Sequence, residues 1–377
     1  MIYRNKKVLL LAYRLGYDSL LYWDNILSAI QKEFNNFRVF TAWESLTTKN
    51  KLVSTEEKLQ GIKYYHNKNK LNQRLFYIPL PFFIIDIVNY KPDIIILNEF
   101  NIVNFYTLLF KFLYKKTKFL LLVESDPGIG NITHEKNTIR YFYRKYILNK
   151  VDLVLTNNQL GQNYLTNYLE LDSLKIKQAP YLTSCPDDND KKQACNTKTT
   201  FLYVGQLVER KGLIYLLNAI NQLPQEVQNK IQVNIIGGGN LDSFLKEYTK
   251  LNQLECVIFH GKLPFTELSK YYHEADCFIL PTLHDYRSLV GFEALYYGCA
   301  IIDSIYDGAR FEVVEEGKNG YIVNPKNIEK FKEAILNIAT DKIKTASFKE
   351  YSVKKIESFT HDKCNENLIN TIKELVI

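Results

Sequence analysis

Methionine and tryptophan are nearly absent, with one Met and two Trp in 377 residues. The missing patterns exclude more than the missing residues. The six cysteines stand at 185, 195, 256, 277, 299 and 364, and no two have the spacing of a metal knuckle or a redox pair. Cys256, Cys277 and Cys299 fall in apolar runs and read as buried thiols, which suits a reducing cytosol. No apolar run reaches the roughly 20 residues of a membrane-spanning helix. Val8–Ala12 is too short for a signal peptide and reads as a strand. The Asn131-Ile132-Thr133 sequon is accidental in a cytosolic chain. No full G-x-G-x-x-G follows the first strand, so the dinucleotide fingerprint is missing. There is no internal repeat, no low-complexity tract and no motif that argues for a metal.

What is present points to two folded domains. The length exceeds one ordinary domain, and 46% apolar residues supply two cores. Net charge is +7 but uneven: residues 1–180 hold 25 Lys/Arg against 15 Asp/Glu, and the remainder 23 against 26. A basic first half suggests an anionic partner, either a ligand or a membrane surface.

The first half opens as a βαβ unit. Lys7–Tyr13 reads as a strand and Gly16 lies in the loop after it. Trp23, Ile26, Leu27, Ile30 and Phe34 recur at helical spacing, and Phe37–Ala42 is the next strand. Residues 44–74 are polar, Lys-rich and patternless, as in a loop. The apolar run 75–88 is core under that loop or a dip into a membrane interface. Strands follow at Asp93–Leu97, Lys118–Val123 and Val151–Leu155. Helices are expected at Asn101–Tyr114, Thr138–Asn149 and Gln159–Leu169. Ligands in open α/β sheets sit at strand C-termini, so Glu124 and Asp126, directly after a strand, are candidates, as is His134 in the loop beyond.

The second half alternates more cleanly. Strands Phe201–Val204, Ile231–Ile236, Val257–Phe259, Asp276–Leu280 and Cys299–Asp303 are separated by helices, which predicts a parallel sheet covered on both faces. The stretch from Phe278 to Ile302 reads strand, loop, helix, strand. Ser288 stands where a helix cap belongs, and Gly298 where the helix closes. Asp285 and Glu293 bracket that helix N-terminus, whose amides and dipole suit a phosphate.

This stretch resembles the donor-site signature of retaining GT-B glycosyltransferases, family 4 (glycosyl transferases group 1). There an acidic residue precedes a Glu by eight positions, followed by Ala, Gly and a strand. Asp285 stands where Glu is usual. The likeness extends over about 200–325, through FLYVGQLVERKG, VNIIGGG, VIFHGKLP and GARFEVVEEGKNGYIV. It implies an α/β GT-B architecture: two Rossmann-like domains facing across a cleft, with the C-terminal helix crossing back to the first. The expected division is an acceptor-binding domain 1–182, a linker 183–199, a donor-binding domain 200–360 and a returning helix 361–377.

By the same resemblance the donor site comprises Gly205, Gln206, Arg210, Lys211, Gly238, His260, Ser288, Leu289, Val290 and Glu293. Lys211 matches the family's diphosphate-gripping Lys. Gln206 stands where the family has Arg, and Arg210 is the cation that can replace it. Asp285 is expected to contact sugar hydroxyls and Glu293 ribose hydroxyls. Asp285, Lys211 and Glu124 are the catalytic candidates; Gly16, Glu124, Asp126 and His134 face the acceptor. Many members carry His where this chain has Glu124.

The implied reaction is sugar transfer, with retention, from a UDP-, GDP- or similar nucleotide sugar. The acceptor is a hydroxyl of a glycan or lipid-linked molecule, as in bacterial surface polysaccharide assembly. No metal or other cofactor and no nucleic acid is expected. The location is cytoplasmic, or peripheral on an anionic membrane at its inner face. Two alternatives stay open: a non-catalytic nucleotide-sugar-binding partner of another transferase, and a GT-B nucleotide-sugar epimerase.

Overall fold

A computed structural model describes residues 3–12, 20–41, 56–58, 61–67, 73–79, 82–123, 138–179 and 197–376. The chain divides into two compact units, residues 1–184 with 361–377, and residues 185–360.

In the first unit the strands are β1 (Lys7–Ala12), β2 (Asn36–Thr41), β3 (Glu56–Lys58), β4 (Gly61–Asn67), β5 (Gln73–Pro79), β6 (Ile94–Asn98), β7 (Lys118–Val123), β8 (Leu153–Thr156) and β9 (Ile176–Gln178). A seven-stranded sheet runs in the order β3-β2-β1-β6-β7-β8-β9. All of its pairings are parallel. The apolar runs of β1, β6 and β7 are buried, as expected of strands covered on both faces. Helices Phe83–Tyr90, Ile102–Leu109 and Ile139–Lys150 lay Ile84, Ile87, Val103, Leu108, Ile147 and Leu148 on one face of this sheet. Polar caps start two of them. Asn101 accepts from Asn104 N at 3.1 Å, and Thr138 Oγ1 from Tyr141 N at 3.2 Å.

Three sequence expectations change here. Residues 44–74 are not a plain loop. β4 and β5 form an antiparallel pair that aligns Ile62 with Ile78 and Tyr64 with Phe76. Those alternating residues carry a weak period-2 signal, because Tyr65 follows Tyr64 and Tyr77 stands between Phe76 and Ile78, so apolar residues fall on both faces. The apolar run 75–88 splits into β5 and helix Phe83–Tyr90. That helix buries Phe83, Ile84 and Ile87 and exposes Ile85, so core is the answer for its inner face only. The helix at Gln159 ends at Asn163 and continues as a π-turn over Tyr164–Tyr168.

The second unit contains β10 (Thr199–Val204), β11 (Ile231–Ile236), β12 (Val257–Gly261), β13 (Cys277–Leu280), β14 (Ala300–Ser304) and β15 (Gly320–Val323). Their order, β12-β11-β10-β13-β14-β15, is that of a doubly wound parallel sheet. β10 is buried at every residue and sits at the switch point, where the connections reverse direction. Cys256, Cys277 and Cys299 are buried thiols, as their apolar surroundings predict.

Helix His361–Glu374 returns to the first unit. It buries Cys364, Leu368 and Ile372, a stripe at i, i+4 and i+8. Burial of each aliphatic side chain contributes about 2 kcal/mol. Lys373 Nζ reaches Glu33 Oε1 at 2.6 Å, and Glu374 meets Lys177 at 2.9 Å, fixing the last turn. Among the described residues no helix is long and apolar enough to cross a membrane.

Candidate active site

The C-terminal ends of β10, β11, β13 and β14 open into loops that are stitched to one another. Gly205 N donates to Ile236 O at 3.0 Å, and Leu207 N to Gly238 O at 3.0 Å. Leu283 N donates to Arg210 O at 2.7 Å, joined there by Thr282 Oγ1 at 3.1 Å. The glycines make these approaches possible. A Cβ on Gly237 (φ +144°) would stand 1.8 Å from Gly205 O, and one on Gly212 (φ +66°) 2.1 Å from Pro281 O. Both distances forbid any side chain. Gly205 is held free of a side chain by Tyr203, whose hydroxyl lies 2.8 Å from that Cβ position. Gly238 differs. Its Cβ would meet nothing closer than Lys262 Cβ at 3.9 Å.

On this floor the short turn Glu209–Lys211 brings two cations to one carboxylate. Lys211 Nζ donates to Asp285 Oδ2, and Arg210 Nη1 stands 3.5 Å from the same oxygen. The Lys211 side chain is 10% exposed, so it lies along the loops rather than in solvent. Arg210 is more open, and its Nη2 faces Gln206 Oε1 at 3.5 Å. The Asp285 backbone is pinned on both sides. Asp285 N donates to Tyr306 O at 3.1 Å, and Gly308 N donates to Asp285 O at 2.9 Å. Gln206, Arg210, Lys211 and Asp285 therefore form one group.

The helix beyond this loop runs Leu289–Tyr296, with Ser288 in the cap position and Gly298 at φ +70° closing it. Ser288 does not cap it with its side chain. Its hydroxyl donates to Asp307 Oδ2 and its amide to Asp307 Oδ1 at 3.1 Å. Of the three residues expected to present amides to a phosphate, Ser288 has its amide committed; Leu289 and Val290 head the helix. Asp307 also accepts from Ala309 N at 3.3 Å.

Beside it, Asp303 is fully buried and takes only the Ser304 amide, at 2.7 Å, on Oδ1; its Oδ2 has no hydrogen-bond partner. Burial and the Asp307 charge push the Asp303 carboxyl well above the usual carboxylate range. Asp307 is raised by burial and then by Asp285, against its three donors.

Glu293 is not a solvated residue at the helix start. It is 7% exposed, and its Oε2 accepts from Tyr272 Oη at 2.8 Å. Burial raises its pKa, and the tyrosine bond opposes that. His260 also has internal partners, Asn234 Oδ1 at 2.9 Å from Nε2 and Tyr271 Oη at 3.2 Å from Nδ1. Burial, then the Lys270 charge, lower its pKa. A neutral ring fits this pair, donating through Nε2 and accepting at Nδ1. Neither Glu293 nor His260 shares a hydrogen bond with the Lys211–Asp285 group.

The sequence assigns no site role to Asp303, Asp307 or Tyr272. The one signal available was the Asp-Ser pair ending an apolar strand, at 303–304. Arg287, in the loop before the helix, is tied to its own unit. Its guanidinium lies 2.7 Å from Glu312 and 4.2 Å from the Phe292 ring centroid. Gly16, Glu124, Asp126 and His134 lie outside the described residues. Among the described residues no His, Cys, Asp and Glu group is arranged to hold a metal ion.

Residues 186–355 match the model of the family described as glycosyl transferases group 1. An uncharacterised glycosyltransferase of Methanocaldococcus jannaschii is 27% identical over 241 residues, covering 60% of this chain and 60% of that protein. The chain thus spans about 60% of the length of that relative. Two solved structures superpose over nearly the whole chain. The Anabaena protein Alr3699/HepE, solved in complex with UDP, has a TM-score of 0.74 at 15% identity, covering 98% of this chain and 100% of its own. The apo form of the lipopolysaccharide outer core galactosyltransferase WaaB has a TM-score of 0.71 at 16% identity, covering 98% and 99%. The chain therefore has the GT-B fold, and its residues 186–355 match the group 1 glycosyl transferase family model.

Proposed function

Starting from that fold and domain, we propose that the chain transfers a sugar from a nucleotide-diphosphate sugar to a hydroxyl of a glycan or lipid-linked acceptor, with retention of configuration. The observation that carries this reading is the gathering of Lys211 and Arg210 on Asp285 at the strand ends of the second unit. Two adjacent cations over glycine-walled loops suit a diphosphate, and each charge-assisted hydrogen bond contributes about 1.5–3 kcal/mol. The UDP bound by the Anabaena neighbour supports a nucleotide donor. The lipopolysaccharide substrate named for the galactosyltransferase supports a role in surface-glycan assembly.

Donor entry asks Asp285 to change partners. A diphosphate placed at Lys211 repels the carboxylate already there. The conflict ends when Asp285 turns to sugar hydroxyls, which donate to it. Lys211 and Arg210 then stabilise the charge that develops on the leaving nucleoside diphosphate. The reacting sugar acquires oxocarbenium character, as in other glycosyl chemistry. Same-face substitution needs no protein nucleophile, so Asp285 serves as a positioning carboxylate. Glu293 meets the ribose hydroxyls, the amides of Leu289 and Val290 meet the distal phosphate, and Gly238 allows close approach. Glu124, Asp126, His134 and Gly16 belong to the acceptor side. The working location is the cytoplasm or the inner membrane face.

Turnover tests this directly. UDP- and GDP-sugars are supplied singly with a hydroxyl acceptor pool, nucleoside diphosphate release is followed, and the product anomer is assigned by NMR. The proposal expects acceptor-dependent release and a retained anomer. Tight nucleotide binding without turnover would replace it with a non-catalytic partner, a reading that Gln206 in place of arginine favours. Isomerisation of the donor without any acceptor would make the chain an epimerase.

A further inference from the structure

Parallel strands start at one edge of a sheet, and in the first unit the starts of β6, β7 and β8 along that edge carry lysine. The chain enters β6 past Lys91, β7 past Lys115, Lys116 and Lys118, and β8 past Lys150, all of them exposed. The nearby carboxylates are engaged. Asp93 takes the Lys7 amide at 2.8 Å and Lys6 Nζ at 3.3 Å. Asp152 takes the Phe119 amide at 2.8 Å and faces Lys111 at 3.6 Å.

Within this basic edge the turn 110–117 lifts two apolar side chains into solvent. Phe112 is 65% exposed and Leu113 47%. The turn is braced from both sides. Thr117 Oγ1 donates to Pro92 O at 2.7 Å, beside Lys91. On the other side Lys111 Nζ donates to Lys150 O at 2.5 Å. Phe112 and Leu113 are thus held between lysines contributed by separate elements.

Cores of protein–protein interfaces are depleted in lysine, so an apolar knuckle ringed by lysines fits such a partner poorly. It fits an anionic bilayer well. Apolar tips enter the acyl boundary while ammonium groups stay at the phosphates. We propose that this edge of the first unit docks on an anionic phospholipid surface through Phe112 and Leu113, with Lys91, Lys115, Lys116 and Lys150 against the headgroups. The proposal builds on the peripheral location given above but not on the donor chemistry, so its failure leaves the nucleotide reading standing.

The test is co-sedimentation of the full chain with phosphatidylcholine vesicles, with and without phosphatidylserine, at low and high salt. The wild type should pellet with phosphatidylserine vesicles and be released by salt. The double substitution Lys115→Glu/Lys116→Glu should weaken binding at least about tenfold. Phe112→Ser/Leu113→Ser should weaken it about tenfold at every salt concentration. Circular dichroism and thermal midpoint should match the wild type for both, because all four side chains are exposed. The proposal is overturned by a wild type that stays in the supernatant, by equal binding to neutral vesicles, or by folded variants that pellet like the wild type. Self-association without vesicles that Phe112→Ser/Leu113→Ser abolishes would also overturn it, assigning the knuckle to a second copy of the chain.

Discussion

Lys211 and Asp285 meet as a hydrogen-bonded ion pair in which the lysine side chain is 10% exposed and the carboxylate 17%. Removing one partner of such a pair strands the other charge away from water, which costs about 3–5 kcal/mol in buried cases. Arg210 stands 3.5 Å from the same oxygen and softens the loss. Lys211→Ala should therefore lower the unfolding free energy by about 3 kcal/mol. Lys211→Ala/Asp285→Ala should recover part of it, with a coupling above about 1 kcal/mol in a urea-unfolding cycle. Strict additivity would mean that the pair is not energetically coupled.

Tyr272→Phe removes the hydroxyl that donates to the buried Glu293 carboxylate. The loss should be about 1–3 kcal/mol at neutral pH. The sign of its pH dependence follows from burial, which raises Glu293 above its unfolded value. The contribution of Glu293 to stability is full below the unfolded carboxylate pKa and falls as pH rises through the folded one. Without the tyrosine bond the folded value rises further. The penalty of Tyr272→Phe should therefore grow from acidic to neutral pH in thermal melts. A flat difference would place the Glu293 charge elsewhere.

Asp303→Asn should stabilise the protein, and more so at neutral than at acidic pH. The buried Asp303 carboxyl is raised well above the ordinary range. Its contribution is full below the unfolded carboxylate pKa and is lost as pH rises. An amide cannot ionise, so the variant escapes that loss. A stability gain that is constant with pH, or absent, would contradict this assignment.

Two adjacent glycines should answer differently to alanine. Gly237→Ala forces a Cβ to 1.8 Å from Gly205 O at φ +144° and should cost about 3 kcal/mol or more. Gly238→Ala meets only Lys262 Cβ at 3.9 Å, so stability should change by less than about 0.5 kcal/mol. If the donor approaches there, Gly238→Ala should nevertheless weaken nucleotide binding. Calorimetry beside a thermal melt separates the two effects.

The second unit was legible because its period-2 and period-3.6 signals lie in separate, short segments. Leu213, Leu216, Leu217 and Ile220 form one helix stripe, and β10, β11 and β13 are nearly continuous apolar runs. β15 and the helix Lys342–Ile356 were missed. β15 has four residues, and the helix interleaves lysines with small and aromatic residues rather than showing a clean stripe. The β4–β5 pair is hard to read because Tyr64-Tyr65 and Phe76-Tyr77 put aromatic residues on both faces and blur its alternation.

At the site, spacing indicated which residues approach the strand ends but not which atoms pair. Lys211 and Asp285 are 74 positions apart. Nothing local announced that Asp307 would take the amide and hydroxyl of Ser288, or that Tyr272 would reach Glu293. Such contacts arise when parallel strands bring distant loops together, and they leave no periodic trace.

Binding of nucleoside diphosphates by calorimetry, to the wild type, Lys211→Ala and Asp285→Asn, tests the donor assignment most directly. The account predicts that one nucleoside diphosphate binds the wild type and that Lys211→Ala weakens it at least about tenfold, the loss of one charge-assisted contact. Asp285→Asn should bind the sugar-free diphosphate as well as the wild type or better, because the competing carboxylate charge is gone. A folded wild type that binds no nucleotide, or a Lys211→Ala variant that binds like the wild type, would contradict it.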